Sequence, residues 1–98
     1  MESMRDDEQR NNLRSSLVLP PGDGKLPGFP NAQKVKPKTR FPGGLRRRWK
    51  IPSGDILEWD YRHGHIEAYN RRGEHVGEFD FRTGQQIGPA VPDRKVEP

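Results

Sequence analysis

Glu58-Trp59-Asp60-Tyr61-Arg62-His63-Gly64-His65-Ile66-Glu67 reads as two short strands turned back on each other at His63-Gly64. With a two-residue loop, the cross-strand pairs are Arg62/His65, Tyr61/Ile66 and Asp60/Glu67. Alternation by twos sorts the side chains into two faces. Trp59, Tyr61, Ile66 and Ala68 share one, while Glu58, Asp60, Arg62, His65 and Glu67 share the other. An apolar face anchors the hairpin and a titratable face is left to meet something.

The same rhythm extends outward. Leu45–Ile51 reads as a first strand with Leu45, Arg47, Trp49 and Ile51 on one face, closed by the turn Pro52-Ser53-Gly54. Asp55–Arg62 and His65–Asn70 form the hairpin, Asn70-Arg71-Arg72-Gly73 turns, and His75–Phe81 follows as a strand. Arg82-Thr83-Gly84 leads into a short Gln85–Ile87 strand, and Gly88–Pro98 is a coil laid on the sheet or free of it. Turn signals at such even spacing describe an antiparallel meander. The expected fold is mainly β: a small, highly twisted antiparallel sheet of four to five strands, residues 45–98, behind an extended basic N-terminal arm. Pro27, Pro30, Pro37 and Pro42 punctuate that arm, residues 25–44, which Phe29 ties to the sheet. Residues 1–24 form an N-terminal segment with a weak helical pattern over Arg5–Leu19, ended by Pro20-Pro21-Gly22.

Composition bounds the function. Only 29% of the 98 residues are hydrophobic and 33% are charged, so a compact core can engage part of the chain only. Cysteine is absent, which removes disulfides, thiolate zinc sites and cysteine nucleophiles. No apolar run approaches the ~20 residues of a membrane span, and Met1–Asp7 lacks the order of a secretory signal. The net charge of +4 conceals an asymmetry: nine basic residues and no acid lie from Lys25 to Lys50. Such a run fits a polyanionic partner. Lys34, Lys36, Lys38, Arg40, Arg46, Arg47, Arg48 and Lys50, interleaved with Trp49, are the candidate contacts to RNA phosphates and bases.

On the titratable face, Asp60 and Glu67 as a cross-strand pair would stand about 4.5–5.5 Å apart at Cβ, which pushes one pKa toward neutrality and makes a general base. The plainer alternative is a solvated strand face neutralised by Arg62 or Arg46–Arg48. His63, at the hairpin tip where histidine tolerates a positive φ, suits a general acid. Glu58 and His65 are possible accessories, and His75 reads as structural or surface. No spacing of His63, His65 and a carboxylate is specific for a metal, so neither metal nor cofactor is expected. Carboxylate, histidine and arginine together are the groups that metal-free RNA cleavage requires: a base for the 2′-hydroxyl, an acid for the leaving 5′-oxygen and a cation for the phosphorane.

Trp49, Ile56-Leu57-Glu58-Trp59-Asp60, His63-Gly64, Glu67-Ala68-Tyr69, Gly73–Asp80, Thr83–Ile87 and Pro92-Asp93-Arg94 together resemble the C-terminal cytotoxic ribonuclease domain of colicins and cloacin. The resemblance covers about residues 45–95 and runs more loosely upstream to Leu26–Pro30. It implies a bacterial toxin that cuts 16S rRNA at the decoding site of the 30S/70S ribosome and stops translation, acting as a monomer in the target-cell cytoplasm after release from its producer. It implies Glu67 as base, His63 as acid, Asp60 as the orienting group and Arg94 as phosphate clamp, and an acidic immunity protein as partner. The chain departs from the family at His65, where the family carries a glutamate, and in the shorter turn at Pro52–Asp55. A non-catalytic basic RNA-binding module is the alternative reading.

Overall fold

A computed structural model describes residues 17–98. The helix considered over Arg5–Leu19 lies outside the described residues as far as residue 16, and Leu17–Leu19 is not helical. Eight strands follow: β1 (Gln33–Val35), β2 (Arg40–Phe41), β3 (Gly44–Leu45), β4 (Arg48–Lys50), β5 (Ile56–Asp60), β6 (His65–Tyr69), β7 (His75–Phe79) and β8 (Gln86–Gly88). Six form one antiparallel sheet in the order β1-β4-β5-β6-β7-β8, and β2 and β3 make a separate two-stranded ribbon. The expected mainly β, antiparallel architecture is present, with more strands than the four to five anticipated. The additions come from the basic segment, whose β1 pairs along β4 (Gln33 opposite Lys50, Val35 opposite Arg48). Leu45 does not begin the first sheet strand; it pairs with Arg40 in the small ribbon, so that strand shortens to Arg48–Lys50.

Alternation explains why the sheet holds. Trp49, Leu57, Trp59, Ile66 and Ala68 project to one side and pack with Leu26 into the buried core, with Phe29, Val76, Phe79 and Phe81 around its edge. Phe29 meets Phe79 edge-on at 6.1 Å, and Phe81 meets Trp59 at 5.2 Å. Burying each large apolar side chain contributes roughly 1.5–3 kcal/mol. Both tryptophans also use their indole N–H: Trp49 donates to the Gly24 carbonyl at 2.9 Å and Trp59 to that of Val18 at 2.7 Å. Those two bonds fasten the segment ahead of β1 to the core, since a buried indole N–H needs a partner.

The β5–β6 hairpin differs from expectation in register. Asp60 lies opposite His65, Trp59 opposite Ile66 and Glu58 opposite Glu67, so the loop has four residues rather than two. The slip is two positions, an even number, so every side chain keeps its anticipated face while its partner changes. The cause is local. The Asp60 carboxylate accepts the N–H groups of Arg62 at 2.8 Å and His63 at 3.3 Å, and the Asp60 carbonyl accepts the Gly64 N–H at 2.8 Å. An Asx turn closed in this way outcompetes a two-residue reversal. Gly64 carries the positive φ (72°), not His63.

A bulge shapes β7. The pairing runs Ala68–Gly77, then jumps to Tyr69–His75, leaving Val76 as the extra residue. Strict alternation would place His75 with Phe79 on the core face. The bulge instead turns His75 toward Tyr69 and lets Val76 pack against the core.

Candidate functional site

The polar face of the sheet carries a row of three carboxylates in successive cross-strand positions: Glu58 on β5, Glu67 on β6 and Glu78 on β7. Each has its own cationic or imidazole partner, and the partners separate their roles. Glu58 is wholly buried and accepts from Arg48 Nε at 3.0 Å, Arg48 Nη2 at 2.8 Å and the Thr39 hydroxyl at 2.6 Å. Arg48 is equally buried at 1% exposure, so the guanidinium expected to contact RNA is committed to the interior. Removing one partner of such a pair costs about 3–5 kcal/mol, because the other is left charged and buried.

Glu67 sits at the floor of an open cleft of about 560 Å³, lined among others by Asp60, His63, His75, Arg94 and Tyr69. Its Oε2 pairs with His75 Nε2 at 2.5 Å and its Oε1 with Arg94 Nη1 at 3.2 Å. The tautomer of His75 follows from its other nitrogen. Nδ1 lies 2.9 Å from the Val91 N–H and must accept it, so the ring proton resides on Nε2 and is donated to Glu67. The sequence reading did not include His75 in the site, because alternation alone assigns it to the wrong face.

Arg94 reaches Glu67 because the C-terminal segment is pinned to the start of β7. The His75 N–H donates to the Arg94 carbonyl at 3.0 Å, and the Val96 N–H to the Gly73 carbonyl at 2.8 Å. Gly73 has φ 82°, and a Cβ there would collide with the Val96 carbonyl. Glycine is therefore required both by the turn and by the close approach of the tail. The segment read as a coil laid on the sheet or free of it is laid on the sheet.

His63 stands at the rim, its side chain 57% exposed, with Nδ1 held by Asp60 Oδ2 at 2.8 Å. Burial by itself would raise the Asp60 pKa, but the His63 ring and the N–H groups of Arg62 and His63 outweigh it and hold the carboxyl below its ordinary value. This corrects the expectation of a carboxylate pair sharing a raised pKa: Asp60 is not opposite Glu67, and its carboxylate is stabilised as the anion. His65 Nδ1 bonds Glu78 Oε1 at 2.8 Å. Burial, then the charges of Glu58 and Glu67, push the Tyr69 hydroxyl up to about 12, so it remains a neutral donor beside the carboxylates.

The remaining cations ring this face or flank it. Arg40 and Arg46 line the cleft with Arg62 and Lys95. Lys34, Lys36, Lys38 and Lys50 are exposed, and Arg47 is half-buried. Asp60, His63 and Glu78 each offer one ligand atom within 4.8 Å of the others, the group among the described residues best placed to hold a metal.

Fold and cleft together define a small all-β domain that converges a carboxylate, an imidazole and a guanidinium on an open, cation-rimmed groove. The chain belongs to the family described as Cytotoxic, whose model matches residues 19–97. It is 40% identical over 78 residues to colicin E3, 39% identical over 79 to cloacin and 37% identical over 76 to colicin-E6, all from Escherichia coli. These stretches cover 78%, 74% and 74% of this chain but only 13%, 14% and 14% of the relatives, so the chain spans about one seventh of their length.

Proposed function

We propose that this domain is the ribonuclease part of a bacterial toxin, cleaving 16S rRNA at the ribosomal decoding site by metal-independent transphosphorylation. The observation that supports it is the convergence of Glu67 and His63 on one cleft with opposite preparation. Glu67 is ringed by donors, His75 and Arg94, and His63 is oriented through Nδ1 by Asp60 with no hydrogen bond to Nε2 among the described residues. In this reading Glu67 takes the proton of the 2′-hydroxyl. The 2′-oxygen bonds to phosphorus, the P–O5′ bond breaks, and the His63 imidazolium gives its Nε2 proton to the departing 5′-oxygen. Arg94 leaves Glu67 in part to bind the non-bridging oxygens as charge gathers there. Asp60 positions the His63 ring through Nδ1. The products are a 2′,3′-cyclic phosphate and a 5′-hydroxyl.

Acid and base groups of this kind each contribute about 10²–10⁴-fold. The exposed Lys34, Lys36, Lys38, Arg40 and Lys50 hold the RNA backbone, and the same basic surface receives an acidic immunity protein in the producing cell. The chain acts as a monomer in the cytoplasm of the target cell. Incubation with ribosomes in EDTA tests the reading. One 3′-proximal cut in 16S rRNA, ending in a cyclic phosphate, is expected. Salt-sensitive RNA binding without scission would instead identify a non-catalytic RNA-binding module.

A further inference from the structure

Two carboxylate–imidazole pairs stand side by side at the cleft rim. Asp60 Oδ2 holds His63 Nδ1 at 2.8 Å, and Glu78 Oε1 holds His65 Nδ1 at 2.8 Å. Sheet register brings them together, since Asp60 lies opposite His65 across β5–β6. The two rings lie 6.3 Å apart between centroids and within 21° of parallel. Asp60, His63 and Glu78 already present ligand atoms within 4.8 Å of one another, and His65 joins the group through its bond to Glu78.

We propose that Asp60, His63, His65 and Glu78 form a binding site for a divalent first-row cation such as Zn²⁺, and that metal held there silences the domain. The second half rests on the ribonuclease reading above; the binding itself does not. Two neutral imidazoles and two carboxylates are a donor set suited to zinc and balance its charge. Ligand atoms about 2.0–2.2 Å from a tetrahedral ion stand about 3.3–3.6 Å apart. The two hydrogen-bonded pairs, 2.8 Å apart, need open by less than about an ångström, the separations of up to 4.8 Å among Asp60, His63 and Glu78 close by about 1.2–1.5 Å, and the His65 ring swings in from its place on Glu78. On binding, each imidazole turns its Nδ1 lone pair to the metal, and the proton held at Nδ1 passes to Nε2 or, from a ring already carrying both, to solvent. A metal-bound His63 then cannot take the second proton that a general acid must deliver. His65 distinguishes this chain, because the resemblance places a glutamate at that position. With glutamate there, three carboxylates would face a single imidazole.

Titrating the full chain with Zn²⁺ alone, against a chromophoric chelator and with histidine ring resonances followed by NMR, tests the site. One equivalent should bind and move the rings of His63 and His65 while His75 stays in place. Both His65→Ala and Glu78→Ala should weaken binding on the order of tenfold or more, the loss that even an outer-shell partner can cause. No saturable binding, unchanged affinity in both variants, or movement of His75 in place of the rim histidines would overturn the site. In cleavage assays one equivalent of Zn²⁺ should suppress scission and EDTA restore it. Scission that His63→Ala abolishes but bound Zn²⁺ leaves unchanged would overturn the silencing while sparing the ribonuclease reading. Zn²⁺ binding as predicted in a protein that cuts no RNA would overturn the ribonuclease reading, and the silencing with it, while supporting the site.

Discussion

The loops Asp60–Gly64 and Asp80–Gly84 are built alike. In each, an aspartate carboxylate accepts the N–H groups two and three residues on, at 2.8 and 3.3 Å in the first and 2.8 and 3.2 Å in the second. In each, a glycine N–H returns to the aspartate carbonyl at 2.8 Å, with φ 72° at Gly64 and 76° at Gly84. The difference lies in the fourth residue and in burial. His63 occupies that place in the first loop and Thr83 in the second, while Asp60 is buried and Asp80 lies at the surface. One turn scaffold thus serves as a plain connector at one edge and as the mount of a candidate acid at the other. The backbone is generic; the chemistry comes from one imidazole and from the cleft it overlooks.

Erasing the one chemical difference between the two loops should have the largest effect. His63→Thr gives the first loop the fourth residue of the second. The fold should survive, with loss of the bond to the buried Asp60 carboxylate costing about 1–3 kcal/mol. Ribosome cleavage should fall about 10²–10⁴-fold in single-turnover assays. The reciprocal Thr83→His should leave cleavage unchanged, since Thr83 does not line the Glu67 cleft.

A smaller effect separates the loop from the tail that completes its cleft. Gly73→Ala alters neither loop, but a methyl group there forces the Val96 carbonyl, and Arg94 with it, off β7. Cleavage should drop by about the 10²–10³ that loss of one charge-stabilising donor costs. The Asp60 and Asp80 turn amides should keep their hydrogen-exchange protection. Loss of protection at the loops would show that the tail and the turns are not separable.

Acid provides the mildest contrast. Both aspartates are held below the ordinary value of 3.8, Asp60 by His63 and turn N–H groups against the opposing effect of burial, Asp80 by the N–H groups of Arg82 and Thr83. The unfolded chain therefore binds protons first as pH falls. The stabilisation is fully present above the unfolded value and is lost as pH drops through the lower folded value. Denaturation curves at pH 6 and pH 3 should show Asp60→Asn flattening this acid loss more than Asp80→Asn, because the exposed carboxylate is screened by solvent.

What the sequence disclosed divides along the same line. Alternation placed Trp59 and Ile66 in the core and Glu58, Asp60, His65 and Glu67 on the opposite face, and the structure keeps every one of those assignments. The register escaped because the Asp60 carboxylate competes with the strand for its own backbone, a local bond that alternation does not describe. His75 escaped because a bulge reverses the face of one residue. Its only trace in the sequence is Gly77, a strand glycine of the kind that accompanies bulges. Arg48 read as an RNA contact because a charge run does not say which member meets an internal carboxylate. Arg94 was reached through family resemblance alone, since its segment has no periodicity and is placed by Gly73.

Of the three carboxylates in the row, Glu67 alone acts on RNA in the proposed reaction. Single-turnover cleavage of ribosomes by wild type and Glu67→Gln, both shown by circular dichroism to be folded, tests it most directly. One 3′-proximal cut in 16S rRNA by wild type and a loss of about 10²–10⁴-fold in the variant are expected. A Glu67→Gln protein that cuts at the wild-type rate would contradict it.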